Sequence, residues 1–353
     1  MFLLESYSVA VFFCVITMLC WGSWANTQKM VDKKWRYELF YWDYVIGVVL
    51  ASLVFAFTLG SHGQYGRTFC EDLCQAETMP LLWAFLGGVV FNVANILLVA
   101  AIAIAGMAVA FPVGIGLALV LGVILNYAAN PAASGSSAFL FMGVVLVTQA
   151  IILNAKAYRK LAGKEGASST GKGLVLSIVC GVLMSLFYYL VARAIAGVNV
   201  SEGEGLPLTL ANLQQKGAIL AAGKLTPYTA NVVFAIGILV SNFVIMPILM
   251  KKPFVGEPVP CTDYFKGNFG THLCGILGGV IWAVGMTFNV IASGVASPAV
   301  AYGLGQGATL MSAIWGVFIW REFKNAPKGT GRLLTLMFLF FVVGLGLIIK
   351  TKL

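Results

Sequence analysis

Long runs of apolar residues recur along the whole chain and constrain its fold more than any other feature of the sequence. A helix needs roughly 18 or more apolar residues to cross about 30 Å of hydrocarbon. Because the runs are continuously apolar instead of alternating, helices are favoured over a transmembrane barrel. The sequence therefore predicts an all-α integral membrane protein. Its ten predicted transmembrane helices are residues 6–26, 38–59, 79–102, 105–127, 136–155, 173–196, 228–250, 271–292, 296–319 and 332–350.

The charged residues are few, and their distribution predicts the orientation of the chain in the membrane. Only 10% of the 353 residues are charged, whereas a soluble domain has about 25%. Most of the 22 lysines and arginines lie in the stretches 29–36, 156–172, 251–266 and 321–332, which ten crossings place on one side. By the positive-inside rule this side is cytoplasmic, so both termini lie outside a plasma (inner) membrane. The net charge of +9 reflects topology, and we expect no nucleic-acid partner.

An internal repeat indicates how the predicted helices are organised. Residues 86–123 align with residues 277–314 without a gap, and Gly87 and Gly88 meet Gly278 and Gly279 in this register. The alignment joins the third and fourth predicted helices to the eighth and ninth, so a five-helix unit is duplicated. Because five is odd, the two halves enter the membrane from opposite sides. We predict inverted repeats at residues 1–156 and 173–353, joined by a cytoplasmic linker at 157–172, which is the organisation typical of alternating-access transporters.

The sequence offers little support for an enzyme or a cofactor-binding protein. The stretch "GASSTGKG" at 166–173 resembles a phosphate-binding loop, but Gly173 stands where serine or threonine is required, and no strand precedes it. His62 and His272 are far apart, and no metalloprotease or serine-hydrolase motif occurs. We therefore expect no catalytic residue, no metal and no cofactor. Cys70 and Cys74 lie in an outward loop, where a local disulfide and two free thiols are both open.

Polar uncharged residues within the apolar runs are the first candidates for a binding site. An amide in hydrocarbon needs a partner, which is either another helix or a ligand. Asn242 lies in the seventh predicted helix, whereas Asn92, Asn95, Asn289 and Gln306 lie in the repeat segments. The glycine- and proline-containing stretches "FPVGIG" at 111–116 and "YGLGQG" at 302–307 occupy matching positions of the repeat. Such matched interruptions indicate either a transporter's binding site or close helix packing.

Aromatic residues and one acidic residue complete the predicted site. Trp21 and Trp24 in "CWGSWANTQK" share one helix face, where they either line the inner mouth of a solute pathway or form an interfacial belt. Asp43 in "FYWDYV" is the acidic residue clearly inside a predicted helix, so it is either a proton-coupling group or a hydrated part of an aromatic belt. The predicted substrate-binding residues are Trp21, Trp24, Asn92, Asn95, Asn289, Tyr302 and Gln306.

Three stretches of the chain resemble the ureide permeases. They are "GSWANTQKMVDKKWRYELFYWDY", "GGVVFNVAN" with the later "LNY", and "GQGATLMSAIWGVFIWREFK". The resemblance implies the drug/metabolite transporter fold, with ten helices in two inverted halves, and transport of allantoin, uracil or related oxo-purines with protons. This sequence departs from that pattern in its short central loop and in Gly303, which stands in place of an acidic residue. The matching residues are Gly22, Trp24, Asp43, Asn95, Gln306, Trp315 and Glu322.

The sequence thus predicts a secondary active transporter, with proton-coupled uptake of a small polar neutral solute such as a ureide, nucleobase or purine derivative. Amide side chains suit the alternating N–H and C=O groups of such solutes. They also suit sugar hydroxyls, so a glucose-, ribose- or rhamnose-type symporter of related branches is the alternative. A non-transporting membrane receptor or scaffold is a third. The expected partners are the solute, protons or another coupling ion, and the lipid bilayer, and the oligomeric state stays open.

Overall fold

The computed structural model describes residues 1–32, 35–162, 171–200 and 205–353, so most of the phosphate-loop-like stretch and much of the predicted linker lie outside the described residues. Within them the chain is almost entirely helical. The α-helices are α1 Tyr7–Ser23, α2 Asn26–Lys29, α3 Tyr37–Phe57, α4 Phe69–Gln75, α5 Thr78–Ala105, α6 Met107–Ala110, α7 Gly116–Ala129, α8 Ser137–Ala162, α9 Gly171–Ala194, α10 Leu210–Leu213, α11 Pro227–Lys251, α12 Phe269–Ala296, α13 Pro298–Gly305, α14 Ala308–Ile314 and α15 Thr330–Lys350.

Shorter elements complete the described chain. Residues Phe111–Ile115 and Trp315–Ile319 form π-helical turns, and Ala132–Ser134 and Cys261–Lys266 form 3₁₀ turns. Three two-residue strands, β1 Val198–Asn199, β2 Gly205–Leu206 and β3 Ile219–Leu220, make an antiparallel sheet in the order β2-β1-β3. The sheet lies in the connection between α9 and α11.

Nine helices of the described chain are long and apolar enough to cross a membrane. Each coincides with one of the predicted runs, so the prediction of a multi-pass helical membrane protein is confirmed. The run at 296–319 does not form one continuous helix. It is divided into α13, α14 and a π-helical turn, with Gln306 and Gly307 between the first two.

The helix starts follow from capping side chains at the ends of the apolar runs. The Thr226 hydroxyl accepts a hydrogen bond from the backbone N–H of Thr229, and Pro227 occupies the first turn of α11. The Asn268 amide oxygen accepts the N–H of Thr271 in the same way at the start of α12. These oxygens satisfy backbone donors that have no partner within the helix.

Glycines allow the long helices to pack backbone against backbone. α5 packs on α9 and α11, α12 packs on α1 and α3, and α8 packs on α15. A Cβ added at Gly88 of α5 would overlap the carbonyl oxygen of Phe234 in α11, and one added at Gly279 of α12 would overlap that of Tyr44 in α3. Only a residue without a side chain fits at these two positions.

The outward faces of the bundle are apolar, and its two ends differ. Phe12, Phe243 and Val342 are each at least 60% exposed, as expected of side chains that contact lipid. One end carries the N-terminus, α4 and the sheet, and is called the sheet end below. The other end carries α2 and the Cys261–Lys266 turn, and is called the linker end.

Candidate functional site

An aromatic cluster lies where the long helices meet. The Phe91 ring of α5 contacts the Trp282 ring of α12 at 4.4 Å between centroids. Trp21 of α1 stacks on Trp282 at 5.9 Å, and its indole N–H donates to the Trp282 carbonyl oxygen at 3.3 Å. Each member comes from a different helix, and the rings together form an apolar layer between the two ends. The central cluster consists of Trp21, Tyr44, Phe91, Phe187, Phe234 and Trp282.

A hydrogen-bonded network lies beside the central cluster and includes two of the predicted binding residues. The Tyr41 hydroxyl donates to Asn92 Oδ1 at 3.0 Å, and Asn92 Nδ2 donates to Ser241 Oγ at 3.0 Å. Asn95 Nδ2 donates to the Tyr41 hydroxyl oxygen at 3.1 Å. Asn92 and Asn95 are therefore brought together, but their amides join α3, α5 and α11. In this conformation they act as helix–helix contacts. Of the two partners predicted for a buried amide, another helix or a ligand, the structure shows the first.

Asn289 of α12 differs, because half of its amide is left without a partner. The side chain is fully buried, and its Nδ2 donates to the carbonyl oxygen of Ala301 in α13 at 2.9 Å. Its Oδ1 accepts no hydrogen bond from the described residues. The Tyr188 hydroxyl of α9 lies 3.5 Å from the Asn289 carbonyl oxygen. An acceptor atom is thus held in a fixed orientation where α9 and α12 approach each other.

A cavity of about 520 Å³ at the sheet end lies between α9 and α12. Ala192 and Ile195 line one side, Val290 and Ser293 line the other, and Ser297 lies at the rim. Tyr188 lies four residues before Ala192, and Asn289 lies four before Ser293. Four residues are about one helical turn, so both lie about one turn deeper in the bundle than the lining residues.

Tyr302 and Gln306 take different positions around the interrupted segment. Tyr302 is fully buried, and its hydroxyl donates to the carbonyl oxygens of Met184 at 3.1 Å and Ala118 at 3.3 Å. Its polar atom therefore holds α13 against α7 and α9. Gln306 lies between α13 and α14, and its side-chain amide makes no hydrogen bond with the part of the chain that the structure describes. The residue as a whole is 7% exposed.

The stretch "CWGSWANTQK" is joined to the segment 315–322 at the linker end. Trp24 packs on Tyr44 at 4.7 Å between ring centroids. The following polar residues pair with side chains far along the sequence, and Tyr158 of α8 adds a hydrogen bond to Glu322 Oε2 at 2.8 Å. We call these pairs the clasp: Trp315 Nε1 to Ser23 Oγ at 2.8 Å, Trp320 Nε1 to Asn26 Oδ1 at 2.7 Å, and Lys29 Nζ to Glu322 Oε1 at 3.0 Å.

Asp43 has partners that the sequence did not reveal. Its carboxylate is 1% exposed and accepts a hydrogen bond from the Tyr264 hydroxyl at 2.5 Å. His272 Nδ1 lies 2.9 Å from Asp43 Oδ2, and the His272 ring meets the Trp35 ring edge-on. Burial, and then the Asp43 carboxylate, raise the pKa of the Tyr264 hydroxyl, which therefore stays protonated and donates. Asp43 and His272 both lie near the linker-end starts of their helices, α3 and α12. In the sequence, this common position at the membrane edge is the feature that points to their pairing.

Cys70 and Cys74 are free and exposed on α4, so the disulfide alternative is not formed. Among the residues that the structure describes, no group of three or more histidines, cysteines and acidic residues could hold a metal.

The long apolar helices, the buried polar side chains between them and the cavity at one end define a multi-pass helical membrane protein. The ureide permease family model matches residues 40–168 and 158–351 of the chain. The chain therefore belongs to the ureide permease family, a family of transporters. The corresponding prediction from the sequence is confirmed.

Individual proteins agree with this assignment. Ureide permease 2 of Arabidopsis thaliana is 22% identical over 396 residues, covering 100% of this chain and 99% of that protein. Ureide permease 1 of the same plant is 21% identical over 404 residues with the same coverage. The probable ureide permease A3 of Vigna unguiculata is 30% identical over 130 residues, or 35% of this chain. A solved crystal structure with 15% identity shares the fold, with a TM-score of 0.59 over 97% of this chain and 98% of that chain.

Proposed function

We propose that the protein is a proton-coupled secondary active transporter, which takes up a small polar neutral solute of the ureide, nucleobase or purine class by alternating access. The main support is the unpaired Asn289 Oδ1, which is buried beneath the cavity and beside an aromatic cluster. Membership of the ureide permease family supports the solute class. The positive-inside rule supports a plasma (inner) membrane location with the sheet end and both termini outside.

The contacts between helices support ten crossings in two inverted repeats. If α13 and α14 form one interrupted crossing, α5 corresponds to α12, α9 to α1 and α11 to α3. The pair α5–α9 then corresponds to α12–α1, and the pair α5–α11 to α12–α3. All four pairs are in contact. In this account residues 1–156 and 173–353 are the repeats and 157–172 is the linker. Interrupted helices near the binding site are typical of transporters built in this way.

Equivalent residues of the proposed repeats adopt equivalent conformations. In the register that pairs residues 86–123 with 277–314, Gly106 corresponds to Ser297, and their φ angles are +75° and +78°. Gly106 ends α5 near Gly173 at the linker end, whereas Ser297 follows α12 and bonds to Ser134 at the sheet end. The same turn thus occurs once at each end, as inversion requires.

The central cluster supports a twofold relation as well. Phe91 and Trp282 correspond to each other in the repeat, and their rings are in contact at 4.4 Å. Two equivalent residues make such a contact where they lie on the axis that relates the halves. A solute site beside these rings lies between the repeats, where inverted-repeat transporters bind their substrates.

The amides and indoles around this position suit a ureide. Asn289 Oδ1 is an acceptor for a solute N–H, and the unpaired Gln306 amide offers both a donor and an acceptor. The indole of Trp21 lies against Asn289 and α13, since Trp21 and Asn289 Nδ2 both border Gly305. Trp24, Asn92, Asn95 and Tyr302 lie in contacts that shape the surrounding helices, and we propose that they act on the solute through those helices.

The structure of the two ends supports a conformation open to the outside. The cavity lies at the sheet end, whereas the clasp joins both proposed repeats at the linker end. Alternating access then requires the clasp to separate while the sheet end closes.

Asp43 is the proposed proton-coupling group. A carboxylate buried in a membrane helix is costly and is usually retained for function. Its contacts with His272 and Tyr264 link α3 to α12, one helix from each proposed repeat. Protonation of the carboxylate would change the charge at that junction.

Replacing Asn289 by leucine is expected to raise the KM for the solute about tenfold or more, because one hydrogen-bonded acceptor is worth about 1.4 kcal/mol or more in a buried site. Uptake kinetics in vesicles measure this. Asn126→Leu is the matched control, since Asn126 is also a buried amide with an unpaired Oδ1 but its Nδ2 bonds within α7. Equal KM values for Asn289→Leu and the parent protein would argue against this site.

Replacing Glu322 by glutamine is expected to weaken the clasp, because it removes the charge that attracts Lys29. We expect Cys20, which lies beside the clasp in α1, to react several-fold faster with a thiol reagent added on the cytoplasmic side. Mass spectrometry measures the modified fraction. Glu5→Gln, at an exposed position of the sheet end, should leave the rate unchanged. An unchanged rate in Glu322→Gln would show that the clasp does not close this end.

A thermal-shift experiment on the purified protein tests the proposed solute class. A ligand that binds the folded state raises the melting temperature by an amount set by its concentration and Kd. We expect allantoin or uracil to raise it, and glucose, ribose and rhamnose to leave it unchanged. Stabilisation by sugars alone would replace the ureide proposal with the monosaccharide alternative.

A further inference from the structure

Asn242 of α11 is a buried amide that nothing in the described chain satisfies. Its side chain is fully buried, and neither Nδ2 nor Oδ1 has a hydrogen-bond partner among the described residues. The next residue, Phe243, is 62% exposed and faces lipid. Asn242 therefore points into the bundle, where an unsatisfied amide is destabilising.

The helix geometry places Asn242 on the linker-end side of the central cluster. Phe234, Ile238 and Asn242 follow each other at four-residue intervals and so share one face of α11. Phe234 belongs to the central cluster, and Asn242 lies about two turns further toward the linker end. Ser241, the residue before Asn242, accepts a hydrogen bond from Asn92 of α5, so Asn242 lies at about the same depth in the bundle as Asn92.

Tyr44 adds a second unpaired group next to the central cluster. Its ring belongs to the central cluster and contacts Tyr41 at 5.2 Å, whereas its buried hydroxyl has no partner in the part of the chain that is described. The hydroxyl of Tyr37, whose ring also contacts Tyr41, is unpaired too. Two unpaired tyrosine hydroxyls therefore belong to residues whose rings contact Tyr41 of the hydrogen-bonded network.

Two amides near Asn242, those of Asn92 and Asn95, are hydrogen-bonded to neighbouring helices. Asn92 and Asn95 lie close to Asn242 along the bundle, and their amides bond to Tyr41 and Ser241. Asn242 lies next to Ser241 in the chain but takes no part in these bonds. A purely structural position would favour an apolar side chain of similar size.

We propose that Asn242, together with the Tyr44 hydroxyl, forms a second contact site for the solute on the cytoplasmic side of the central cluster. The site suits a solute with adjacent C=O and N–H groups, because Asn242 Nδ2 donates to the carbonyl and Oδ1 accepts from the N–H. This inference rests on the proposed function. Asn289 is the contact on the sheet-end side, and Asn242 receives the solute after the clasp opens.

The test compares Asn242→Leu with the parent protein in the thermal-shift experiment, with allantoin and uracil as probes. Without ligand, we expect the melting temperature of Asn242→Leu to be equal to or above that of the parent, because an unsatisfied amide is removed. With ligand, we expect the Kd to rise about tenfold or more. Asn92→Leu is the matched control, and its melting temperature should fall, since it removes the acceptor of the Tyr41 hydroxyl and the amide donor to Ser241 Oγ.

The outcomes separate this inference from the proposed function. If neither probe stabilises the parent protein, the proposed function fails and the inference fails with it. If both probes bind the parent and Asn242→Leu equally well, only the inference is overturned. A lower melting temperature of ligand-free Asn242→Leu would also overturn it, because the amide would then have a structural partner. Should Asn242→Leu give no folded protein, the smaller Asn242→Ala is measured against the same expectations for Kd.

Discussion

Replacing Gly279 by alanine is expected to destabilise the protein by roughly 3 kcal/mol or more, at the upper end of the range for overpacked cores. The added Cβ would overlap the Tyr44 carbonyl oxygen, and a backbone atom of a packed helix cannot move aside without separating α12 from α3. Gly88→Ala should have a similar effect, because its Cβ would overlap the Phe234 carbonyl oxygen between α5 and α11. The melting temperature in detergent and the yield of monodisperse protein measure both effects.

The matched control for these two variants is Gly346→Ala in α15. A Cβ at Gly346 meets nothing within 4 Å, and alanine is favoured over glycine inside a helix by about 1 kcal/mol. We therefore expect this variant to keep or raise the melting temperature. Normal melting temperatures for Gly88→Ala and Gly279→Ala would contradict the close helix packing. A large difference between those two variants would argue against equivalent repeats.

Replacing Asp43 by asparagine is expected to abolish accumulation of the solute against its gradient, while binding persists. Asparagine keeps the shape of the side chain and its contact with Tyr264, but it cannot take up and release a proton. Uptake into proteoliposomes with an imposed pH gradient measures the effect. The variant should equilibrate the solute across the membrane without concentrating it.

Glu38→Gln is the control for the coupling prediction. Glu38 lies near the same end of α3, but it forms an ion pair with Arg36 and does not contact His272. Its substitution should leave proton-driven accumulation intact. Normal accumulation by Asp43→Asn, or its loss in Glu38→Gln as well, would show that Asp43 is not the specific coupling group.

Much of the fold could be predicted from the sequence, because a membrane selects for long apolar runs. Nine of these runs contain a helical span long enough to cross the membrane, although the run at 105–127 includes a π-helical turn at Phe111–Ile115. The apolar run at 296–319 predicts one transmembrane helix, and the stretch "YGLGQG" within it indicates a possible interruption. The structure places the break between Gly305 and Ala308, and hydropathy alone could not locate it, since a break in backbone hydrogen bonds leaves composition unchanged.

The hydrogen-bond partners in the candidate site were less predictable, because the sequence shows where the amides are but not which side chains they contact. Asn92 and Asn289 both lie in apolar stretches of sequence. The Tyr41 hydroxyl donates to Asn92 Oδ1 and Ser241 Oγ accepts from Asn92 Nδ2, whereas Asn289 Oδ1 has no partner among the described residues. Ser241 is 149 residues from Asn92 in the chain. The pairing of Asp43 with His272 depends likewise on two helices that are distant in sequence. Only packing decides such contacts, and packing is a property of the assembled bundle.

Uptake of labelled allantoin by proteoliposomes containing the purified protein, with a pH gradient imposed, is the decisive test of proton-coupled ureide transport. We expect saturable uptake that depends on the gradient and that unlabelled uracil or allantoin inhibits, but glucose does not. Empty liposomes are the control. Absence of flux for every ureide and nucleobase under any ion gradient, or flux for sugars alone, would overturn the proposed function.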